Sequence, residues 1–247
     1  MNGVIEVVDV EKGFDTARVL EGVSFALEKG ETLVVMGGSG SGKTVLLRLI
    51  AGLLRPDAGQ IRVFDRNIED LTEEELLPIR RRLGYVFQGA ALFDSLSVHE
   101  NVAYPLREHT RLSEGEIGQK VIHFLSLVGL NDGILGLLPA ELSGGMRKRV
   151  GIARALVGEP EAMLYDEPTA GLDPTNSKLV TELIVQMREG VCDSSIVVTH
   201  DLELARSVAD RVAILINGRF AAVGPPAEVT ASSSPAVQAF LAGEARP

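Results

Sequence analysis

The sequence predicts an α/β fold with a mostly parallel sheet, an N-terminal antiparallel β-subdomain and an inserted helical subdomain. Apolar and polar residues alternate over Val4–Val10 and Val23–Leu27, as they do in half-buried antiparallel strands. Thr32–Met36 is a short apolar run, which is typical of a buried parallel strand. Strand-like and helical runs then alternate along most of the chain, which indicates a layered α/β domain.

The elements before residue 89 follow from local patterns. A helical run of eleven residues, TVLLRLIAGLL, begins at Thr44, after the buried strand and a glycine-rich segment. Thr72 and Glu75 have the spacing of a capping box and predict the start of a second helix. Two further strands are predicted at Ile61–Phe64 and Leu83–Phe87.

The pattern becomes mostly helical between residues 89 and 158, which we interpret as the inserted subdomain. Ser113 and Glu116 have the spacing of another capping box there. We expect residues 1–224 to form one domain that contains this insertion, and residues 225–247 to form a short tail with a loop and a short helix. Three more strand-like runs follow the insertion: Ala162–Tyr165, Ser195–Thr199 and Val212–Ile216.

The composition favours an acidic domain with a large core. The 247 residues are 45% hydrophobic and carry a formal net charge of −10, which argues against nucleic acid as the main partner. The single cysteine, Cys192, fits a reducing compartment. The first residues do not resemble a signal peptide, and no apolar run reaches the roughly 18–20 residues that span a bilayer. We therefore expect a soluble, cytoplasmic protein that reaches a membrane only through a partner.

Residues 37–44, GGSGSGKT, match the pattern G-x-x-x-x-G-K-[ST] between a strand-like run and a helical run. The pattern predicts the phosphate loop of a P-loop nucleoside triphosphatase, because N–H groups at a helix N-terminus bind phosphate oxygens. A flexible Gly/Ser turn is the alternative. Lys43 is expected to reach the β- and γ-phosphates, and the Thr44 hydroxyl to bind Mg²⁺. The residues expected to contact the nucleotide are Gly37, Gly38, Ser39, Gly40, Ser41, Gly42, Lys43, Thr44 and Val45.

An acidic pair, Asp166 and Glu167, follows the predicted strand at Ala162–Tyr165. Ligands of α/β sheets bind at the carboxyl ends of the strands, so these carboxylates are candidates for the same site. We expect Asp166 to hold Mg²⁺, through water, and Glu167 to polarise the attacking water. The alternative is that the pair caps the N-terminus of a helix.

The stretch LSGGMRKRVGIARAL, residues 142–156, predicts a second anion site. A serine and two glycines lead directly into a helical pattern, and a helix N-terminus with a hydroxyl and free N–H groups favours an anion. Ser143, Gly144 and Gly145 are the residues expected to bind it. The basic residues Arg147–Arg149 are interpreted in part as a solvated helix face.

Taken in order, these motifs resemble those of ATP-binding cassette ATPases, over about Val4–Gly224. The resemblance implies ATP and Mg²⁺ as cofactors and a head-to-tail homodimer. In that dimer each signature segment, LSGGM here, closes over the γ-phosphate held by the phosphate loop of the other chain. The resemblance therefore explains the presence of two predicted anion sites in one domain, since each nucleotide would be bound by one site from each chain.

The resemblance also assigns roles to four residues outside these motifs. Phe14 matches the aromatic that stacks on adenine, although it could simply pack at a strand end. Gln88 matches a residue that senses Mg²⁺ and the attacking water, and His200 matches a histidine that contacts the γ-phosphate. Asp173, in GLDP, matches a loop that crosses the dimer interface, although aspartate before proline is also ordinary turn chemistry.

The sequence departs from the family pattern at three positions. Gly38 stands where many members have proline, and Val45 lacks a common hydroxyl but keeps its backbone N–H. Met146 replaces the usual glutamine of the signature. None of these changes removes a residue that the chemistry needs, so an active ATPase is expected.

A finer likeness concerns the transported substrate. Met146 and the string Asn101–Thr110 resemble the Mla/Mce-type ATPases, which energise phospholipid transport between membranes. The resemblance implies an integral membrane permease docked on the helical insertion, possible accessory or regulatory subunits, and a place on the inner face of the inner membrane. Two alternatives remain open: the ATPase of a small-solute importer or exporter, and a soluble family member that acts on DNA or the ribosome.

Overall fold

The computed structural model describes residues 3–243, which form two compact units. One unit contains the chain up to Arg80 and again from Asp193 onward, and the other contains Arg81–Cys192. None of the helices in residues 3–243 has the length and hydrophobicity needed to cross a bilayer. The strands are β1 (Ile5–Phe14), β2 (Ala17–Leu27), β3 (Thr32–Met36), β4 (Ala58–Val63), β5 (Arg66–Asn67), β6 (Leu83–Val86), β7 (Ala162–Asp166), β8 (Ser195–Thr199), β9 (Arg211–Ile216) and β10 (Arg219–Gly224). The α-helices are α1 (Lys43–Ile50), α2 (Glu73–Arg81), α3 (Val98–His109), α4 (Glu114–Leu127), α5 (Gly144–Leu156), α6 (Pro174–Gly190), α7 (Leu202–Val208), α8 (Pro226–Thr230) and α9 (Pro235–Leu241).

The first unit contains an antiparallel sheet with the strand order β2-β1-β4-β5. Ile5, Val7 and Val10 of β1 are buried and Val8 is exposed, which confirms the predicted alternation. The pairing of β1 shifts register between Val7 and Val10, where Asp9 adopts a φ of 49°. Both strands of this hairpin are longer than the apolar pattern predicts, because they continue into an end where most residues are exposed or half-buried and the alternation is less regular.

Four more strands of the first unit lie in the order β10-β9-β3-β8. β3 pairs in parallel with both β8 and β9, and all residues of β3 and β8 are buried. Their bounds are those predicted from the apolar runs. β10 pairs antiparallel with β9 and was not predicted; its side chains are mostly exposed or half-buried.

Helix α1 ends four residues earlier than its apolar pattern predicts. The chain turns at Gly52, which has a φ of 66°. Arg80 stabilises this end, because its Nε donates to the carbonyl of Ala51 at 3.1 Å and its Nη2 to the carbonyl of Gly52 at 2.8 Å. A guanidinium that binds the last carbonyls of a helix satisfies acceptors that the helix leaves unpaired.

The second unit combines two parallel strands, β6 and β7, with the helices of the insertion. Helices α3, α4 and α5 contact one another, and α5 also contacts β6. The predicted capping box at Ser113 and Glu116 is confirmed, and Ser97 and Glu100 form another at the start of α3. Residues 226–243 contain α8 and α9, instead of the predicted loop and single helix, and residues 244–247 of the predicted tail lie outside the described residues.

A buried asparagine fixes the segment that leads into α3. Asn101 is 0% exposed, and its amide nitrogen donates to the carbonyls of Phe93, Leu96 and Ser97. Its side-chain oxygen accepts from the N–H of Phe93 at 2.8 Å. A buried amide with its hydrogen bonds satisfied gives an irregular segment one conformation, since each lost bond would leave a buried polar group unpaired.

Candidate functional site

The phosphate loop lies between the buried strand β3 and helix α1, as predicted. Gly42 is the N-cap of α1, with a φ of 104° and no side-chain hydrogen bond to the cap. The N–H groups of the first turn of α1 therefore have no side-chain cap, which is the arrangement that favours an anion. Gly40 also has a positive φ of 78°.

Two glycines of the loop are required by close packing. A Cβ on Gly42 would lie 2.9 Å from Leu20 Cδ2 and 3.0 Å from the carbonyl oxygen of Val19. A Cβ on Gly37 would lie 2.5 Å from Ser41 Oγ and 2.6 Å from the carbonyl oxygen of Leu215. The distances at Gly37 are shorter than real Cβ contacts, and at Gly42 the tight contacts add to a φ of 104° that residues with side chains rarely adopt, so larger residues are disfavoured at both positions.

The loop carries polar groups that suit a bound phosphate. Lys43 is buried, and its Nζ donates to the carbonyls of Gly37 at 2.8 Å and Gly38 at 3.0 Å. Ser41 Oγ is buried without a hydrogen-bond partner among the described residues. An orphaned hydroxyl costs free energy, and an oxygen of a bound phosphate would satisfy it. The residues of the loop therefore fit the phosphates of a nucleoside triphosphate.

Phe14 and His200 belong to the same unit as the loop. Phe14 ends β1 in the hairpin whose other strand supplies Val19 against Gly42, and the residue is 44% exposed. Its ring is accessible for stacking, and Lys12 Nζ lies 5.4 Å from the ring centroid. His200 is exposed and follows β8, whose last residue pairs with the last residue of β3. His200 and the phosphate loop therefore leave neighbouring strands at the same edge.

The second unit brings together the acidic pair and Gln88. Asp166 and Glu167 are buried at the end of β7, and Gln88 lies in the turn after the neighbouring parallel strand β6. Tyr85 of β6 donates its hydroxyl to Asp166 Oδ2 at 3.4 Å. The next helix after the pair is capped by Asp173, so the alternative in which the pair caps that helix is wrong.

Glu167 has an unusual backbone conformation. Its φ is 46°, in the left-handed region that residues other than glycine, asparagine and aspartate seldom adopt. A non-glycine residue there costs on the order of 1 kcal/mol or more, and such strain is concentrated at functional sites. The buried carboxylate is therefore held at a position that the surrounding structure enforces.

The signature segment and Asp173 meet on one surface of the second unit. Ser143 is the N-cap of α5, and its Oγ accepts from the N–H of Met146 at 3.2 Å. Gly145 lies against Asn176, because a Cβ there would be 2.3 Å from Asn176 Oδ1. Asn176 in turn donates to both carboxylate oxygens of Asp173. These hydrogen bonds hold the pKa of the Asp173 carboxyl below its usual value.

The run Arg147–Arg149 is a solvated face only in part, as interpreted, because Arg147 is exposed whereas Lys148 is buried. Arg147 donates to the carbonyl of Leu142 at 2.7 Å, Arg149 to that of Gly129 at 2.9 Å, and Arg154 to those of Ala90 and Ala91. Lys148 is 5% exposed and donates to the carbonyls of Gln88 and Glu167. The sequence gives no signal for these contacts, since their partners are backbone carbonyls, and those of Lys148, Arg149 and Arg154 lie 19 or more residues away in the chain.

The backbone conformation of Gly42 gives a test of the described loop. Because alanine at this position combines a positive φ with two close contacts, Gly42→Ala should lower the free energy of unfolding by about 1–3 kcal/mol. Gly38→Ala is the matched control, since a Cβ there meets nothing within 4 Å. Urea unfolding without nucleotide measures both. Equal midpoints for the two variants would contradict the described loop.

Comparison with known proteins gives the family. Residues 20–170 match the family model described as ABC transporter. The chain is 40% identical over 243 residues to Mkl of Mycobacterium leprae, a probable ribonucleotide transport ATP-binding protein, covering 98% of this chain and 70% of that protein. It is also 40% identical over 226 residues to MlaF of Haemophilus influenzae, an intermembrane phospholipid transport system ATP-binding protein, covering 92% and 85%. The chain spans 66–70% of the length of the mycobacterial relatives that it matches.

A solved structure supports the same family. The dimeric structure of MJ0796, a bacterial ABC transporter cassette, superposes with a TM-score of 0.84 at 32% identity, covering 90% of this chain and 98% of that one. The predicted α/β fold with its antiparallel subdomain and helical insertion is confirmed by this likeness. The family model covers more than half of the chain, and the relatives align over nearly all of it. The chain therefore belongs to the ABC transporter family, as a nucleotide-binding ATPase of a transporter.

Proposed function

We propose that the chain is the ATPase of a phospholipid transporter that serves the outer membrane of a double-membrane bacterium. The observation that carries this proposal is the likeness of Met146 and the string Asn101–Thr110 to that branch. The 40% identity to MlaF over 92% of the chain supports it. We further propose that residues 1–224 act as one nucleotide-binding domain, located on the cytoplasmic face of the inner membrane.

ATP binding is assigned to residues of the first unit. Adenine stacks on the exposed ring of Phe14, and the phosphates bind the N–H groups of residues 38–45. The ammonium of Lys43 would exchange its loop carbonyls for the β- and γ-phosphates, since an ammonium has three donors and attracts an anion more strongly than a carbonyl. The Ser41 hydroxyl supplies one more hydrogen bond.

Mg²⁺ fits the oxygen donors of three residues. Thr44, Gln88 and, through water, Asp166 would hold it, because Mg²⁺ prefers a few protein oxygens together with phosphate oxygens and water. When bound, the ion neutralises charge on the phosphates. The hydroxyl of Tyr85 on Asp166 would keep this carboxylate in one orientation.

Hydrolysis is assigned to Glu167 and His200. Glu167 orients a water molecule and accepts its proton as the water oxygen attacks the γ-phosphorus and ADP leaves. His200 assists by contacting the γ-phosphate from the edge of β8. Ser143 and the N–H of Gly145 from a second copy complete the shell of donors around the γ-phosphate, with Asp173 at the interface. We therefore propose a head-to-tail homodimer.

Glu167→Gln tests the assignment of the base. Loss of a general base typically lowers the rate about 10²–10⁴-fold, or roughly 3–5 kcal/mol of barrier, while the isosteric amide leaves ATP binding intact. Glu161→Gln is the control, because Glu161 is an exposed carboxylate on the segment before the same strand and pairs with Arg82. Phosphate release measures turnover, and a fluorescent ATP analogue measures affinity. Wild-type turnover in Glu167→Gln would show that another group is the base.

A patch of exposed aromatic residues suits a membrane subunit. Phe93 is 44% exposed and Tyr104 is 42% exposed, and their ring centroids are 4.9 Å apart. The guanidinium carbon of Arg154 lies 5.6 Å from the Phe93 ring centroid. The same guanidinium donates to the carbonyls of Ala90 and Ala91. Most other apolar residues of this segment are buried, as in core packing. We propose that a short helix of an integral membrane permease docks on this patch, together with possible accessory or regulatory subunits.

A small-solute transporter remains the second candidate. The name of Mkl refers to ribonucleotide transport, and Mkl is as similar to this chain as MlaF is. Both candidates share every residue assigned to ATP hydrolysis. They differ only in the membrane partner and in what it carries, so the identity of the partner separates them. Nucleic acid is not proposed as a partner.

Capture of the membrane partner distinguishes the candidates. Tagged Glu167→Gln with ATP should retain an integral membrane subunit with associated phospholipid from detergent-solubilised host membranes. Adding Phe93→Ser and Tyr104→Ser should abolish this capture, whereas Ile122→Ser, which changes a comparably exposed apolar residue on α4, should not. Mass spectrometry of proteins and lipids gives the result. A permease without lipid would support solute transport, and ribosomal or DNA-bound proteins alone would contradict a transporter.

A further inference from the structure

Lys148 is a buried cation on the helix that begins at the signature. Its side chain is 5% exposed, and its Nζ donates to the carbonyl of Gln88 and, at 3.1 Å, to the carbonyl of Glu167. Burial lowers the pKa of this ammonium, although the nearby carboxylates of Asp166 and Glu167 act in the opposite direction. A charge in such a place is costly unless its hydrogen bonds are used.

Both carbonyls that Lys148 binds belong to irregular backbone at the ends of neighbouring strands. Gln88 lies in the turn after β6, and Glu167 follows β7 with its φ of 46°. Neither residue lies within the β6–β7 ladder, which pairs Leu83–Val86 with Ala162–Tyr165. The ladder alone therefore does not fix how the two turns lie with respect to each other. One ammonium that binds both carbonyls supplies that missing constraint.

The other basic residues of α5 bind different backbone. Arg147 donates to the carbonyl of Leu142, the first residue of the signature, and Arg149 donates to carbonyls at the end of α4. Arg154 donates to the carbonyls of Ala90 and Ala91. Among these four basic residues, only Lys148 has partners that are themselves residues assigned to catalysis. Its position is therefore more specific than a general role in holding the helical insertion together.

We propose that Lys148 is a positioning residue for ATP hydrolysis, which ties the backbone of Gln88 to the backbone of Glu167. The contact keeps the Gln88 amide and the Glu167 carboxylate in one mutual arrangement and holds Glu167 in its strained conformation. The inference rests on the proposed roles of Gln88 and Glu167. It predicts that loss of Lys148 affects the chemical step more than nucleotide binding, because the phosphate loop belongs to another part of the chain.

Three variants test the proposal: Lys148→Met, Lys148→Arg and, as the matched control, Arg149→Met. Misplacement of catalytic groups by about 1 Å can cost 10²-fold, so Lys148→Met should lower kcat about 10- to 100-fold with KM for ATP changed less than about twofold. Lys148→Arg keeps the positive charge and the hydrogen-bond donors, so it should retain most of the wild-type kcat. Arg149, on the same helix as Lys148, donates to the carbonyls of Val128 and Gly129. Arg149→Met loses both contacts and should keep kcat within about twofold of wild type.

A second readout does not depend on activity. Amide hydrogen exchange of the nucleotide-free protein should become faster in residues 88–92 and 167–171 of Lys148→Met, and stay unchanged there in Arg149→Met. Wild-type kcat in Lys148→Met, or a loss no larger than that in Arg149→Met, would overturn the proposal. So would unchanged exchange in both segments.

A further variant covers the case in which Lys148→Met does not fold. Lys148→Gln keeps an amide donor, and it should show reduced kcat together with faster exchange in the same two segments. Wild-type values of both would overturn the proposal. Failure of the underlying assignment is distinguishable, because it would appear as turnover retained in Glu167→Gln while the exchange result for Lys148 still holds.

Discussion

Both units have to stabilise negative charge at the end of a buried strand: a proposed bound phosphate in the first, and two carboxylates in the second. Strand β3 has no exposed side chain, and we propose that the loop after it binds an anion with backbone N–H groups and few side chains. Gly37 and Gly42 meet this need because their surroundings leave no space for a Cβ. Lys43 adds the charge that a polyanion requires, and in the described structure it binds carbonyls of the loop itself.

The second unit also holds negative charge at the end of a buried strand. Asp166 and Glu167 are buried carboxylates, and a buried charge is tolerated only with nearby partners. Tyr85 contacts the first of them, and Lys148 lies close to both. Lys148 belongs to helix α5 of the insertion, so the inserted helices do more than cover the strands. They also fix the turn after Gln88, through Arg154, and the segment before α3, through Asn101.

Local patterns predict the parts of the fold in which neighbours in sequence determine the structure. The strands β3 and β8, the capping box at Ser113 and the helix start at the phosphate loop all depend on adjacent residues, and their positions agree with prediction. The end of α1 could not be predicted, because it depends on Arg80, which is about thirty residues away. The burial of Lys148 could not be predicted either. Periodicity identifies the face of a helix on which a residue lies, but not which backbone carbonyls contact that residue. The residues of the candidate site came from motifs and a family resemblance, and their assigned roles stay predictions.

The central claim is that each signature completes the nucleotide site of a second copy. Light scattering after size exclusion of Glu167→Gln, with and without ATP, tests it most directly. We expect a single chain without ATP, and twice that mass with two bound nucleotides when ATP is present. Adding Ser143→Arg should prevent the doubling without preventing ATP binding, because Ser143 is exposed at the start of α5. A protein that binds ATP and stays a single chain at every concentration would contradict the claim.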